Sequence, residues 1–468
     1  MTLPTDFVIR TQALLGETYP LFEAALQKTP SVSLRINKAK GTTIPQKASP
    51  VAWCKTGFYL PERLTFTFDP LFHSGAYYVQ EASSMFLEQA IQTYVKEPVC
   101  CLDLCAAPGG KSTLLASCLP EGSLLVSNEV IRSRSYILAE NLTKWGDPNC
   151  VVLNNDPVTI GETLPHFFDV IVTDVPCSGE GMFRKDSEST QEWSIEHVQL
   201  CATRSRRIIH DIWKALKPGG LLIYSTCTYN TEENEENIHY FIEELDAEPL
   251  AIPISEAWQI CGSLRYSHPV YRFFPHRVPG EGFFLAALRK KEGTIISPNK
   301  TKRKKEKKVT PAIPSHIIQF LKEPQQYQFV WKENKLIAYP KVIEEPISQL
   351  INSHLRLLST GILIGELKGK DFIPAEELAL STALNPVAFP KIELTWEESI
   401  SYLRKEAIIL PTGTPRSNVI VCFHGYPLGF VKHLGNRSNN LYPAEWRIRS
   451  SYSPEVVKLF SISEHKIK

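Results

Sequence analysis

No pair among the eleven cysteines of this 468-residue chain has the Cys-x-x-Cys spacing, and the count is odd. Both facts argue against a zinc ribbon and a disulfide framework, and a reducing cytoplasm is the economical setting. No window approaches the roughly eighteen apolar residues that a membrane span needs. The amino terminus, MTLPTDFVIRTQALLGETYP, lacks a basic start followed by an apolar run, so no secretory leader is read. Net charge is nearly absent too, +1 in total, which by itself names no partner. The Gly-x-Gly-x-x-Gly fingerprint of nicotinamide-binding folds is missing. LCAAPGGKST (104–113) ends like a triphosphate loop, but Cys105 stands where such a loop needs its first glycine. Nucleotide triphosphate hydrolysis is therefore disfavoured.

What is present begins with length: 468 residues exceed one core and predict several domains. Residues 1–95 mix short helical and strand-like patterns, an α+β extension packed on the adjoining domain. From 96 to 290 strands and helices alternate. VCCLDL (99–104), SLLVSNE (123–129), CVVLNND (150–156), FDVIVTD (168–174) and LLIYSTC (221–227) read as five strands. Between them lie helical stretches, including a long one from WSIEHVQL into KALKPGG that the Pro-Gly-Gly is expected to stop. This is the pattern of an α/β, Rossmann-like doubly wound parallel sheet, with its ligand crevice at the carboxyl ends of the strands. YRFFPHRVPGEGFFLAALRK reads as a closing hairpin. Residues 291–312 form a basic linker: 289–308 carry ten Lys/Arg against two Asp/Glu, a net of +8 that leaves −7 for the rest. A solvated spacer and a phosphate-attracting tether fit that linker equally. Two small mixed modules complete the chain, 313–390 and 391–468, the second with a hairpin pattern in NVIVCFHGYPLGFVKHLG (418–435).

The residues just past the strand ends form a specific set. The first strand runs into the glycine loop Cys105, Ala106, Ala107, Pro108, Gly109, Gly110 and Lys111. The second ends in Glu129, the third in Asp156, the fourth in DVPCSGEG (174–181) and the fifth in STCT (225–228). An acid closing the second strand suits ribose hydroxyls; the bland reading of a lone one, a helix cap or a solvated turn, loses weight beside a glycine-rich loop. With a second acid on the third strand and no phosphate fingerprint, S-adenosylmethionine fits. Its ribose would sit on Glu129, its adenine amino group on Asp156 and its methionine part in the loop. Two cysteines also stand at strand ends, Cys177 and Cys227, where a thiol flanked by proline or hydroxyls is better placed for attack than for packing. Two cysteines at adjacent strand ends suggest a reaction with two thiol roles, and methylation at carbon-5 of cytosine is such a reaction. A thiolate adds at carbon-6, the enamine so formed takes the methyl, and proton and thiol then leave. Asp174 is positioned to hydrogen-bond the ring at N3. The base must also be swung out of its stack.

Taken together, LCAAPGGKST, SNEV, TDVPCSGEGMFRKD and YSTCTYNTEENEENI resemble the RNA cytosine carbon-5 methyltransferase family of the Nop/Sun type. SLRIN (33–37), GAYYVQEASSM (75–85) and FFPHRVPGEGFFLA (273–286) extend the resemblance over about 30–290, and the tail is similar to the bacterial small-subunit rRNA branch. The resemblance implies that Cys227 is the nucleophile, that Cys177 helps release the methylated base, and that Lys111 lies near the reacting centre. It places the loop 105–111 with Glu129, Asp156 and Asp174 around the cofactor. It also implies that the carboxyl-terminal end is a PUA-type RNA-binding module. There Arg416, Lys432, Arg437, Arg447 and Arg449 interleave with Tyr426, Phe430, Tyr442 and Trp446, a mixture that suits loop RNA or a module's core and basic edge alike. The expectation is a monomeric cytoplasmic enzyme acting on small-subunit rRNA, with no metal. Rival readings are the same chemistry on tRNA and a non-catalytic RNA-binding assembly factor. His276 and His424 are assigned nothing.

Overall fold

The structure, a computed structural model, describes residues 2–293, 312–369, 371–452 and 459–460. Most of the basic linker lies outside the described residues.

The centre is a nine-stranded sheet. Its five parallel strands are the first (Cys100–Asp103), second (Leu124–Asn128), third (Cys150–Leu153), fourth (Phe168–Asp174) and fifth (Leu216–Thr226). They lie side by side in the order third, second, first, fourth, fifth. Alternate residues feed two separate cores. Cys101, Leu125, Val152, Val170, Val172 and Ile223 face one, while Leu102, Val126, Val151, Ile171, Leu222 and Tyr224 face the other. Burial on both faces explains why these strands read as continuous apolar runs rather than as alternating ones. The order reverses between the first and fourth strands, so the crevice opens beyond Asp103 and Asp174.

Beyond the fifth strand, Phe283–Lys290 pairs antiparallel and carries Tyr271–Phe273 and Ala247–Leu250 with it, the expected closing hairpin. The opposite edge holds a strand that the local pattern did not suggest. Leu357–Thr360, from the first carboxyl-terminal module, pairs antiparallel with the third strand and covers the sheet edge. The long helix is shorter than expected. It spans Ile195–Ile212, a 3-10 turn comes next at Trp213–Ala215, and Leu216 already pairs with Phe168. Pro218 and Gly219 therefore lie inside the start of the fifth strand, where Gly219 has φ +75° and the register against the fourth strand shifts. The Pro-Gly-Gly makes a bulge there, not a helix stop.

Four-stranded sheets flank the centre. Ser49–Pro50, Gly57–Leu60, Val32–Ile36 and Tyr77–Val79 form the amino-terminal one, in that order. The first carboxyl-terminal module builds Tyr327–Lys332, Lys335–Pro340, Ile362–Lys368 and Asp371–Pro374. The last module builds Lys391–Glu393, Asn418–Phe423, Tyr426–His433 and Ser438–Asn440. Its hairpin turns on His424 and Gly425, both at positive φ, the geometry a two-residue turn between twisted strands needs. This module shares one core with the amino-terminal sheet: Val419, Val421 and Tyr442 pack with Leu34, Phe68 and Leu71. Phe430 and Tyr442 are fully buried, so these two belong to packing and not to an RNA-stacking surface. Trp446 and Tyr426 are half-buried, and Arg416, Arg437, Arg447 and Arg449 remain exposed. Among the described residues no helix is long and apolar enough to cross a membrane, and no group of His, Cys, Asp and Glu could hold a metal ion.

Candidate active site

The glycine loop is pinned from three sides. Leu104 N donates to Val172 O at 2.9 Å and Ala106 N to Asn128 O at 2.9 Å. The carbonyl of Ala107 accepts from Arg134 at 2.8 Å, and that of Pro108 from Asn141 Nδ2 at 2.7 Å. Gly109 turns the chain at φ +119° to start the helix Gly110–Cys118, and a Cβ there would press on Asn141 at 3.3 Å. Glycine is required at this point both for the angle and for the close approach. Arg35 of SLRIN, wholly buried, braces the first turn from behind. It donates to Gly110 O at 3.1 Å, to Thr113 Oγ1 and to Gln80 Oε1 at 2.6 Å.

The acids divide into two groups. Glu129 is buried at the end of the second strand, and its Oε1 accepts from Ile131 N at 2.9 Å. Its Oε2 lies 3.7 Å from Arg134. Asp156 is exposed and caps the helix Pro157–Thr163, accepting from both Thr159 N and Thr159 Oγ1 at 2.8 Å. Those two bonds hold its carboxyl below the ordinary range. Asp103, which the sequence reading passed over, is completely buried before the loop. Ser112 Oγ donates to its Oδ2 at 2.7 Å, while Oδ1 has no partner. Burial pushes its pKa up to about 7. The signal for it was the acid closing VCCLDL, directly before the glycine turn. Cys105 is held as a thiol by burial, its pKa pushed up to about 12, and acts as packing beside Thr173.

Lys111 and Asp174 meet across the switch point, Nζ to Oδ2 at 2.8 Å, and Ser225 Oγ donates to the other oxygen at 2.9 Å. Burial alone would lower the Lys111 ammonium, but Asp174, with Asp103 and Cys227 behind it, more than offsets this and raises its pKa. The ammonium also sits 5.3 Å from the centre of the Phe283 ring.

Cys177 and Cys227 come together beside this pair. Their sulfurs are 3.2 Å apart, well outside the ~2.05 Å of a disulfide, and both are free thiols. Cys227 N also donates to Cys177 Sγ at 3.3 Å. The hydrogen bond to Cys227 and burial together raise Cys177 well above the usual thiol range.

Two buried glutamates knit the cysteine loops. Glu180 accepts from Thr228 Oγ1 at 2.6 Å, Tyr229 N at 2.7 Å, Asn230 N at 2.9 Å and Trp193 Nε1 at 3.0 Å. Glu233 takes Ser178 N at 2.9 Å and Asn230 Nδ2 at 2.8 Å, and its pKa is pushed up to about 7 by burial. Gly181 N donates to Cys227 O at 2.9 Å, and a Cβ at Gly181 would lie 2.6 Å from Gly282 O. The loops after the fourth and fifth strands and the closing hairpin thus touch backbone to backbone. Sequence reasoning missed these glutamates, although both lie within the quoted motifs.

A doubly wound sheet with a glycine turn after its first strand, buried acids at the strand ends and no phosphate loop defines a Rossmann-like methyltransferase domain. Residues 92–289 match the family described as 16S rRNA methyltransferase RsmB/F. Residues 3–82 match the N-terminal domain of 16S rRNA methyltransferase RsmF, and 389–448 the methyltransferase RsmF PUA domain. The chain is 31% identical to ribosomal RNA small subunit methyltransferase F of Escherichia coli O9:H4 (strain HS), covering 94% of this chain and 96% of that one. To the same-named protein of Aliivibrio fischeri (strain MJ11) it is 30% identical, over 95% and 97%. A solved methyltransferase homologue from Pyrococcus horikoshii superposes with a TM-score of 0.52 at 28% identity, over 61% of this chain and 95% of that one. NSun6 from the same organism, 19% identical, shares the fold with a TM-score of 0.53, over 62% and 99%. The chain belongs to the ribosomal RNA small subunit methyltransferase F family and is an rRNA methyltransferase.

Proposed function

We propose that the protein methylates carbon-5 of a cytosine in small-subunit rRNA, with S-adenosylmethionine as donor, Cys227 as nucleophile and Cys177 assisting release. The observation that carries this reading is the pair of sulfurs 3.2 Å apart beside the Lys111–Asp174 ion pair. The residues present fit the cofactor. The partnerless Asp103 Oδ1 suits an ammonium, Glu129 suits ribose hydroxyls, and Asp156, although it caps a helix, keeps a free lone pair on each oxygen for an adenine amino group. Bound there, the cofactor supplies an electrophilic methyl on a sulfonium.

Cys227 adds as its thiolate, forming a carbon–sulfur bond at carbon-6 and moving electron density to carbon-5. Cys177, held as the thiol, favours that thiolate by an S–H hydrogen bond across 3.2 Å. Lys111 and Asp174 share a proton-bearing contact that can be presented to the ring at N3. One preorganised donor of this kind is worth about 3 kcal/mol in a barrier. After methylation a solvent water takes the carbon-5 proton, the carbon–hydrogen electrons form the carbon-5–carbon-6 double bond, and the carbon–sulfur pair returns to Cys227 as thiolate, which Cys177 stabilises as it leaves by its S–H hydrogen bond. Methyl transfer to 16S rRNA, free or in the small subunit, by wild type and Cys227→Ala tests the reading; equal rates reject it. Methylation of tRNA but not rRNA would redirect the substrate assignment.

A further inference from the structure

A cavity of about 430 Å³ lies between the two carboxyl-terminal modules, away from the residues assigned to chemistry. Its size falls among pockets that hold small polar ligands. Phe320 and Phe372 contribute half-buried rings with centres 6.3 Å apart. Ser417 and Asn418 line it from the start of the strand Asn418–Phe423. The Ser417 hydroxyl and the Asn418 side-chain carbonyl are both buried without a hydrogen-bond partner. Two adjacent orphaned groups on one cavity are unusual, because buried polar atoms are nearly always paired. Cationic groups also line the cavity: Arg416 is exposed, and Lys432 pairs with Asp371 at 2.6 Å, so the acid in the lining is already neutralised.

We propose that this cavity receives one unpaired nucleobase of the RNA substrate, stacked on Phe320 and Phe372 and donating an exocyclic amino hydrogen to Asn418 Oδ1, with its phosphate beside Arg416. Aromatic faces with a cationic rim suit a splayed base, and an acceptor met by the exocyclic amine of adenine, cytosine or guanine is left unpaired by uracil, whose one base donor is the ring N3–H. The proposal rests on RNA being the substrate but not on the cysteine chemistry.

The test uses the full-length protein and labelled ten-nucleotide oligoadenylate and oligouridylate, with binding read by fluorescence anisotropy. Wild type is expected to prefer oligoadenylate. Asn418→Leu should lose that preference with an unchanged melting temperature, and Phe372→Ala, which also removes a ring packed on the module's core, should weaken both about tenfold while remaining folded. Both variants should raise KM for rRNA while leaving kcat at saturating RNA intact. If either variant unfolds, Arg416→Ala, at an exposed site, supplies the second reading through a reduced salt dependence of binding. Wild-type affinity in all folded variants means that the cavity holds only water and overturns the proposal. So does base-independent binding by wild type. Failure of wild type to methylate rRNA while these binding differences persist would reject the proposed function and leave this site standing.

Discussion

The loops around Cys227 and the module around Phe430 carry equally suggestive sequences, yet the fold uses them in opposite ways. In the first, polar residues of two motifs turn toward one another. Glu180 alone gathers four donors, and two sulfurs are held at 3.2 Å. In the second, the interleaved aromatics separate from their basic neighbours. Phe430 and Tyr442 enter the core while Arg447 and Arg449 stay in solvent. A motif whose polar groups can satisfy each other stays together when buried. A mixture of apolar rings and charges is sorted by water.

That contrast can be broken by substitution. The largest effect should come from Cys227→Ala: methyl transfer falls below about a thousandth of wild type, while the melting temperature barely moves. Cys177→Ala should instead accumulate a covalent protein–RNA adduct, visible as a slow band on a denaturing gel; no band counts against its role in release. Glu180→Ala leaves the buried donors Tyr229 N, Asn230 N and Trp193 Nε1 unpaired and should cost at least about 3 kcal/mol, read by denaturant unfolding, with activity lost through displacement of both cysteine loops. In the other region Phe430→Ala should cost roughly 3–5 kcal/mol as a core cavity. Arg447→Ala should stay within about 0.5 kcal/mol and show only as weaker, less salt-sensitive RNA binding.

The most diagnostic effect concerns the joint between the last module and the amino-terminal sheet. His73 is buried there, its Nε2 2.8 Å from Thr67 O and its Nδ1 3.4 Å from Tyr442 OH, and burial lowers its pKa to about 3. A histidine lowered on folding contributes stability above its ordinary pKa near 6.5, lost as pH falls toward 3. Asp69, raised to about 6 by burial, works in the opposite sense, since its contribution is lost as pH rises through 6. The difference between wild type and His73→Gln isolates the histidine. It should shrink by about 1.4 kcal/mol per pH unit between pH 6 and 4; a constant difference would mean that His73 is not buried neutral.

The two regions also differ in how legible they were. The strand ends could be placed from local pattern because each strand is short, apolar and closed by its own turn, so Cys177, Cys227, Asp174, Lys111 and Glu129 fell at the correct ends. Asp103 and Glu180 escaped notice because a lone acid, whether at the last position of a strand or in a single 3-10 turn, carries no periodicity. The Pro-Gly-Gly misled because the same residues serve a helix stop and a strand bulge, and only the register against Phe168 decides between them.

By itself the sequence determined the alternation of strands and helices, the glycine turn and the chemical kinds of side chain at each strand end. These depend on residues a few positions apart, and the repeat of a strand or helix is written in that span. The tertiary structure decided which ends became neighbours: that residues fifty positions apart hold their sulfurs in contact, that Leu357–Thr360 closes the far sheet edge, and that Phe430 serves the core. Those outcomes arise from the need to pair every exposed strand edge and every buried polar group across the whole chain, a condition that no local stretch contains.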